Sequence, residues 1–357
     1  MNVLMIGVDK TSVGGMLTVI ENYLNNKEFC GKVNLQYIAT VIRGRKLIKL
    51  KTFLKKIPEI KRTIKEKKID IVHVHMAERG SVFREGYVVH IANKMGCKTI
   101  IHMHGATIED WYKRQNIVVK KIIEKIFCSA DKMIVLGDLW LPFMKKVMGN
   151  ENESKLAVLH NAVNVPSSNS YNLDATEILF YGMLIQRKGI DDLLEAFRAI
   201  KDEVPIEIKL ALYGDDYDSE EKIEAKIKRF DLEGRAEYRG WLTPENREKV
   251  FSKAIVNVLP SYNEGLPMTI LESMGHGIPN ISTNIAAIPE AISDGINGYL
   301  ITPGDINSLK EKMKNVILNR KIREKFSESA YETAKKEFSI DSHINRLLKI
   351  YKDILDD

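Results

Sequence analysis

Cysteine is scarce in this chain of 357 residues: Cys30, Cys97 and Cys128 stand far apart in apolar or mixed surroundings. An odd, unclustered set argues against a disulfide framework and a thiolate zinc site, and fits a reducing compartment. No apolar run approaches the length of a membrane span. The opening MNVLMIGVDK lacks the basic leader and long apolar core of a secretion signal. It reads as a first buried strand, so a cytoplasmic location is expected. No pair of histidines has the helical spacing of a metal site, and no carboxylate completes one. Paired aspartates are few. Asp191-Asp192 begins a predicted helix and Asp215-Asp216 follows a predicted strand, so capping and solvation account for both. No bound metal and no other cofactor is therefore expected. Aromatics are missing where the charge is densest. The stretch 43–68 holds 12 Lys and Arg but only Phe53 to stack on, which argues against nucleic acid as a partner.

The length exceeds one ordinary core, so two domains are expected. The net charge of +6 conceals an asymmetry: residues 1–165 carry +13 and residues 166–357 carry −7. The halves therefore suit different partners, and the basic half suits an anionic surface.

Both halves alternate strand and helix. Continuous apolar runs ending in glycine or polar residues mark buried parallel strands at 3–8, 69–75, 98–104, 131–137 and 155–161. The second half repeats the scheme with strands at 177–182, 206–214, 236–240, 255–260, 280–284 and 298–302. Helices are predicted at 189–202, 219–230, 244–253, 267–276 and 305–318. This is an α/β chain of two Rossmann-like, doubly wound parallel domains, 1–165 and 166–340, expected to face each other across a cleft. The Ser- and Asn-rich stretch Pro166–Thr176 is the expected linker. The amphipathic segment near 341–357 either completes domain two or packs back on domain one.

Residues 261–272, SYNEGLPMTILE, place Glu264 and Glu272 eight positions apart around a predicted helix start. Pro267 suits the first turn, Gly265 permits close backbone approach, and the exposed amides there favour an anion. An acid on each flank of an anion cradle suits a ligand with phosphate in the middle and hydroxyls at both ends. The same pattern also fits a helix cap and a Glu–Lys pair. A second stretch, FYGMLIQRKGID (180–191), follows a strand with Gly182 and then sets Arg187 and Lys188 at the mouth of the next helix. Cations there can hold a diphosphate and stabilise charge that grows as it leaves.

These residues carry a resemblance. The chain resembles the family 4 retaining glycosyltransferases, which have the GT-B fold. The match is densest from 180 to 305 and includes LPSYNEGLPMTILESMGHGIPNISTNIAAIPEAISDGINGYLITPGD (259–305). The family's glutamate pair is matched by Glu264 and Glu272. The resemblance implies that Glu264 binds donor-sugar hydroxyls and Glu272 the nucleotide ribose, while the amides of Gly265 and Leu266 touch sugar and phosphates. One position departs from the pattern: Met183 stands where the family's phosphate loop has arginine. Lys188 matches, and Arg187 beside it offers a second charge. In the first half, VDKTSVGGMLTVIENYL (8–24) resembles the family's glycine-rich loop, with Gly14 and Gly15 near the donor phosphates or the acceptor. It is not a dinucleotide fingerprint. His104, ending IIHMH, resembles the family's active-site histidine. His75, ending IVHVH, is a second candidate that could touch the acceptor. His73 and His102 are expected to point to the opposite faces of their strands. Asn161 lies in a turn, His160–Asn164, read as hinge and cleft wall.

Leu47, Leu50, Leu54 and Ile57 recur at near-helical spacing within the basic stretch 43–68, as in a helix that lies on an anionic bilayer. The alternative is a surface helix packed on the sheet. Taken with the resemblance, the expected activity is retaining, metal-independent transfer of a hexose from a nucleoside-diphosphate sugar to a glycan or lipid-linked acceptor. The expected setting is cell-surface polysaccharide synthesis at the inner face of the membrane. The rival readings are a sugar-nucleotide epimerase of the same fold, and a non-catalytic module that binds sugar nucleotides or membrane.

Overall fold

The computed structural model describes residues 1–12, 14–42, 44–215 and 221–356. The expected helix at 219–230 begins on undescribed residues; its described part is Ile223–Arg229. Arg43, Asp216 and Val13, within stretches singled out above, also lie outside the description. The chain divides into two compact units, Met1–Asn161 with Asp341–Asp357, and Ala162–Ile340.

The first unit holds a six-stranded sheet of β1 (Asn2–Val8), β2 (Asn34–Val41), β3 (Ile71–Met76), β4 (Lys98–Met103), β5 (Lys132–Val135) and β6 (Leu156–Val158). Its order is β2-β1-β3-β4-β5-β6, and every neighbouring pair is parallel. β3 is buried along its whole length, as a run of apolar and histidine residues between two covered faces must be. β2 is absent from the expected strands. It is the sheet's edge, and its residues NLQYIATV are only partly covered.

The second unit repeats the plan with β7 (Glu177–Tyr181), β8 (Lys209–Tyr213), β9 (Ala236–Tyr238), β10 (Ala254–Leu259), β11 (Asn280–Thr283) and β12 (Gly298–Ile301). Their order is β12-β11-β10-β7-β8-β9, again all parallel. In each sheet the chain builds outward on one side of its first strand and then returns to the other side. The reversal falls between β1 and β3 in the first sheet and between β7 and β10 in the second. The loops leaving such strands diverge, which opens the backbone at the carboxyl ends to a ligand.

The division between units falls at Asn161–Ala162, ahead of the Ser-rich segment. That segment packs on the second unit. Pro166 O accepts from Tyr331 Oη at 2.8 Å, Asn169 Nδ2 donates to Ser327 Oγ at 2.9 Å, and Tyr171 Oη donates to Ile255 O at 2.8 Å. The last helix, Ile340–Asp356, belongs to the first unit from Asp341 onward. There Tyr351 is fully buried, its ring tilted against that of Phe29 with centroids 6.4 Å apart and its hydroxyl 2.7 Å from His73 Nδ1, while His343 reaches Tyr23 and, at 2.7 Å, the carbonyl of His160.

The basic segment forms one helix, Lys46–Glu66, with Pro58 inside it. Phe53, Ile60 and Ile64 face the core, and Ile57 packs against it. Leu47, Leu50 and Leu54 do not: they are 74%, 54% and 54% exposed. The apolar stripe therefore splits between a core-facing and a solvent-facing part. No helix among the described residues is long and apolar enough to cross a membrane.

Candidate active site

Two loops meet at the reversal of the second sheet, because β7 and β10 are neighbours. The β7 loop runs through Gly182 and the short turn Gln186–Lys188 to Gly189. The β10 loop runs from Pro260 to Pro267 and ends at the helix Met268–Gly275. Gly189 has φ 72°, and a Cβ there would lie 2.1 Å from Pro260 O, so only glycine lets the loops approach this closely. Backbone and side chains then tie them. Tyr262 N donates to Arg187 O at 2.9 Å, Arg187 Nη1 donates to Asn263 O at 2.6 Å, and Tyr262 Oη donates to Asp192 Oδ2 at 2.7 Å.

At the centre of this contact, Lys188 Nζ lies 2.5 Å from Glu264 Oε1, with side chains 15% and 6% exposed. Ser261 Oγ donates to the same oxygen at 2.7 Å. The cation and the first acid thus form one neutralised, mostly buried pair. Gly265 O accepts from Ala287 N at 3.2 Å, Leu266 and Pro267 are buried, and no side chain caps the helix start. Arg187 is exposed, and Met183 is half-buried.

Glu272 sits one turn into that helix and is 8% exposed. Arg247 Nη1 lies 3.1 Å from its Oε1. Burial pushes the Glu272 carboxyl up, and the Arg247 and His276 charges oppose that shift. Among the described residues, Asn263 Oδ1, Thr269 Oγ1 and Arg247 Nε are buried polar atoms without a hydrogen-bond partner. Buried polar atoms in folded proteins are nearly always paired, and these three exceptions lie on or against the segment 261–272. Arg247, from the helix Pro244–Phe251, escaped the sequence reading, since no motif surrounds it.

In the first unit, Gly14 has φ 119°, precedes the helix Gly15–Asn25 and is exposed, as is Gly15. His104 follows β4 and is half-buried; its Nε2 lies 2.8 Å from His75 Nδ1. His75 is 1% exposed. It underlies His104 and does not offer itself to an acceptor. Asn161 is likewise buried, with 4% of its surface exposed. The expectation that His73 and His102 point away from their neighbours is corrected. His73 and His75 stack with ring centroids 4.7 Å apart, and His102 and His104 lie 4.3 Å apart. Residues two apart on a strand share a face, so all four imidazoles form one layer. One nitrogen from each of His73, His75 and His102 lies within 4.8 Å of the others, a spacing that could hold a metal ion. This grouping spans two strands and was invisible to a search for helical spacing. Burial holds these rings neutral. His73 is pushed down to about 3, with neighbouring imidazoles adding to the effect, and His104 likewise to about 3.

Comparison with known proteins agrees with this architecture. Residues 165–333 match the family model described as glycosyl transferases group 1. A Klebsiella pneumoniae protein described as an uncharacterized 41.2 kDa protein in the cps region is 26% identical over 98% of this chain and 99% of its own. The sucrose-phosphate synthase structure from Thermosynechococcus elongatus superposes with a TM-score of 0.82 at 15% identity, covering 99% of both chains. Anabaena HepE in complex with UDP-glucose gives 0.78 at 13% identity, again with 99% of both chains covered. Residues 165–333, just under half of the chain, are thus similar to the group 1 glycosyltransferases, and the two parallel six-stranded sheets are those of the GT-B fold.

Proposed function

We propose that the second unit binds a nucleoside-diphosphate sugar and that the enzyme transfers the sugar, with retention, to a glycan or lipid-linked acceptor in cell-surface polysaccharide synthesis. The observation that carries this reading is the Lys188–Glu264 pair at the reversal of the second sheet, with Glu272 eight residues further on. Glu272 and Arg247 bind the ribose end, and Glu264 reads the sugar hydroxyls. Lys188, Arg187 and the amides of Gly265 and Leu266 take the diphosphate. When the donor binds, Lys188 exchanges its carboxylate partner for phosphate oxygens. It is then placed to stabilise the charge left on the departing diphosphate.

Gly182 and Pro267 shape the two donor loops, while Gly14 and Gly15 bring main chain of the first unit to the substrate. His104 hydrogen-bonds a substrate hydroxyl. The donor phosphate itself accepts the acceptor proton on the face it leaves, which retains the anomeric configuration. Protein cations supply the leaving-group charge, so transfer is expected to proceed in the presence of a chelator. Support for the setting comes from the Klebsiella relative in a cps region, and for the ligand class from HepE, which was crystallised with UDP-glucose. The exposed Leu47, Leu50 and Leu54 beside basic residues support docking on an anionic membrane at its cytoplasmic face.

A panel of nucleotide sugars tests the reading by thermal shift, followed by product analysis with the one that stabilises the protein. Glu264→Ala should abolish transfer. Release of an isomerised donor sugar without acceptor would instead establish the epimerase reading, and binding without turnover by the unaltered chain would establish a binding module.

A further inference from the structure

The imidazole pair at the end of β3 and just after β4 has a directionality that follows from its surroundings. His75 Nδ1 and His104 Nε2 share one proton across 2.8 Å. His75 is 1% exposed, and its other nitrogen, Nε2, is buried without a hydrogen-bond partner among the described residues. Two neutral arrangements satisfy the shared bond. In one, His75 carries its proton on Nδ1 and donates it to His104 Nε2, so His104 carries its own proton on Nδ1. In the other, His104 Nε2–H donates to His75 Nδ1, and the His75 proton must sit on Nε2, a buried N–H with nothing to accept it. Orphaned buried N–H groups are rarer in folded proteins than under-satisfied acceptors. The first arrangement leaves only a bare lone pair in the core. It is the one this packing favours.

We propose that His75 is a positioning residue that locks His104 in its Nδ1–H tautomer, so that His104 offers substrate a neutral hydrogen-bond donor. The consequence for substrate rests on the reading of His104 as a substrate contact; the tautomer itself does not. The ring's assignment follows from what its second nitrogen meets, as it does for any neutral histidine. His104 then neither removes nor delivers a proton. It recognises an oxygen lone pair. Burial, which holds His75 well below its ordinary pKa and His104 down to about 3, agrees with a pair that stays uncharged at neutral pH.

The test is long-range proton–nitrogen NMR of histidine-labelled full-length protein. In the unaltered chain His104 should show a protonated Nδ1 and a bare Nε2. His75→Asn keeps an N–H close to the Nδ1 position and should preserve that pattern. His75→Leu removes the donor and should release His104 into the Nε2–H tautomer or a mixture. An Nε2–H tautomer in the unaltered protein, or an Nδ1–H tautomer that survives unchanged in folded His75→Leu, overturns the proposal. If His75→Leu does not fold, the unaltered protein and His75→Asn decide it alone. Addition of UDP-glucose as a first probe separates the two readings. Movement of the His104 Nδ1 signal supports the substrate contact. A static signal with a tautomer still set by residue 75 removes the contact and leaves the positioning role standing.

Discussion

Lys188→Met tests whether the pair at the loop contact is structural, functional or both. At 2.5 Å, two unit charges in an effective dielectric near 20 attract by about 7 kcal/mol before desolvation is subtracted. Most of that attraction is offset by taking both groups out of water, so the pair itself adds little net stability. Removing one partner is different. Glu264 is 6% exposed, and without Lys188 its charge is left buried, which costs about 3–5 kcal/mol. For a unit of this size that corresponds to a fall in melting temperature of roughly 6–20 °C. Glu264→Gln strands the lysine in the same way, although Ser261 can still donate to the amide oxygen. The double variant Lys188→Met with Glu264→Gln has no stranded charge and should recover most of the loss. Urea denaturation of the four proteins gives the coupling directly. Losses that add within about 0.5 kcal/mol would show that the two groups act independently, and the reasoning would be refuted. The donor-induced thermal shift should vanish in the two variants that lack Lys188 and fall to that of the nucleotide alone in Glu264→Gln.

Three further outcomes follow from other parts of the chain. His73, His104 and His343 are held down to about 3, 3 and 4 by burial, so their stabilisation is full above pH 6.5 and is lost as pH falls toward those values. At pH 5 each should cost the fold about 2 kcal/mol, read as acid unfolding of the first unit by Trp111 and Trp140 fluorescence. An unchanged urea midpoint from pH 7 to 5 would contradict this. Gly189→Ala should destabilise by about 2 kcal/mol or more, because φ 72° and the 2.1 Å approach to Pro260 O both resist a Cβ; wild-type stability would mean that the loops part easily. Replacing Leu47, Leu50 and Leu54 by glutamine should abolish flotation with anionic liposomes, and high salt should release the unaltered protein. Equal flotation of the variant would place the membrane contact elsewhere.

Strands β7 and β10 of the second unit were legible because each is a buried apolar run closed by a turn, EILFYG and IVNVLP. β2 was not, since an edge strand with polar NLQYIATV lacks that signature. The helix Arg320–Glu337 was also absent from the expectation, its sequence being mostly charged. Glu264, Glu272 and Lys188 could be singled out from their neighbours in the chain. Their pairing could not, for Lys188 and Glu264 are 76 residues apart and meet only because β10 returns beside β7. Arg247 was missed for the same reason: its partner Glu272 comes from a helix beyond the next strand. The histidine layer was misjudged through parity, because alternation places positions 73 and 75 on one face, not two.

The central claim is that Glu264 and Glu272 flank a nucleotide-sugar site in the second unit. Calorimetric titration with UDP and UDP-glucose, followed by the other nucleoside diphosphates and their sugars, tests it most directly. The account predicts that Glu272→Ala weakens both the nucleotide and the nucleotide sugar, whereas Glu264→Ala removes only the extra affinity contributed by the sugar. Equal binding of the preferred pair by the unaltered protein and both variants would contradict it.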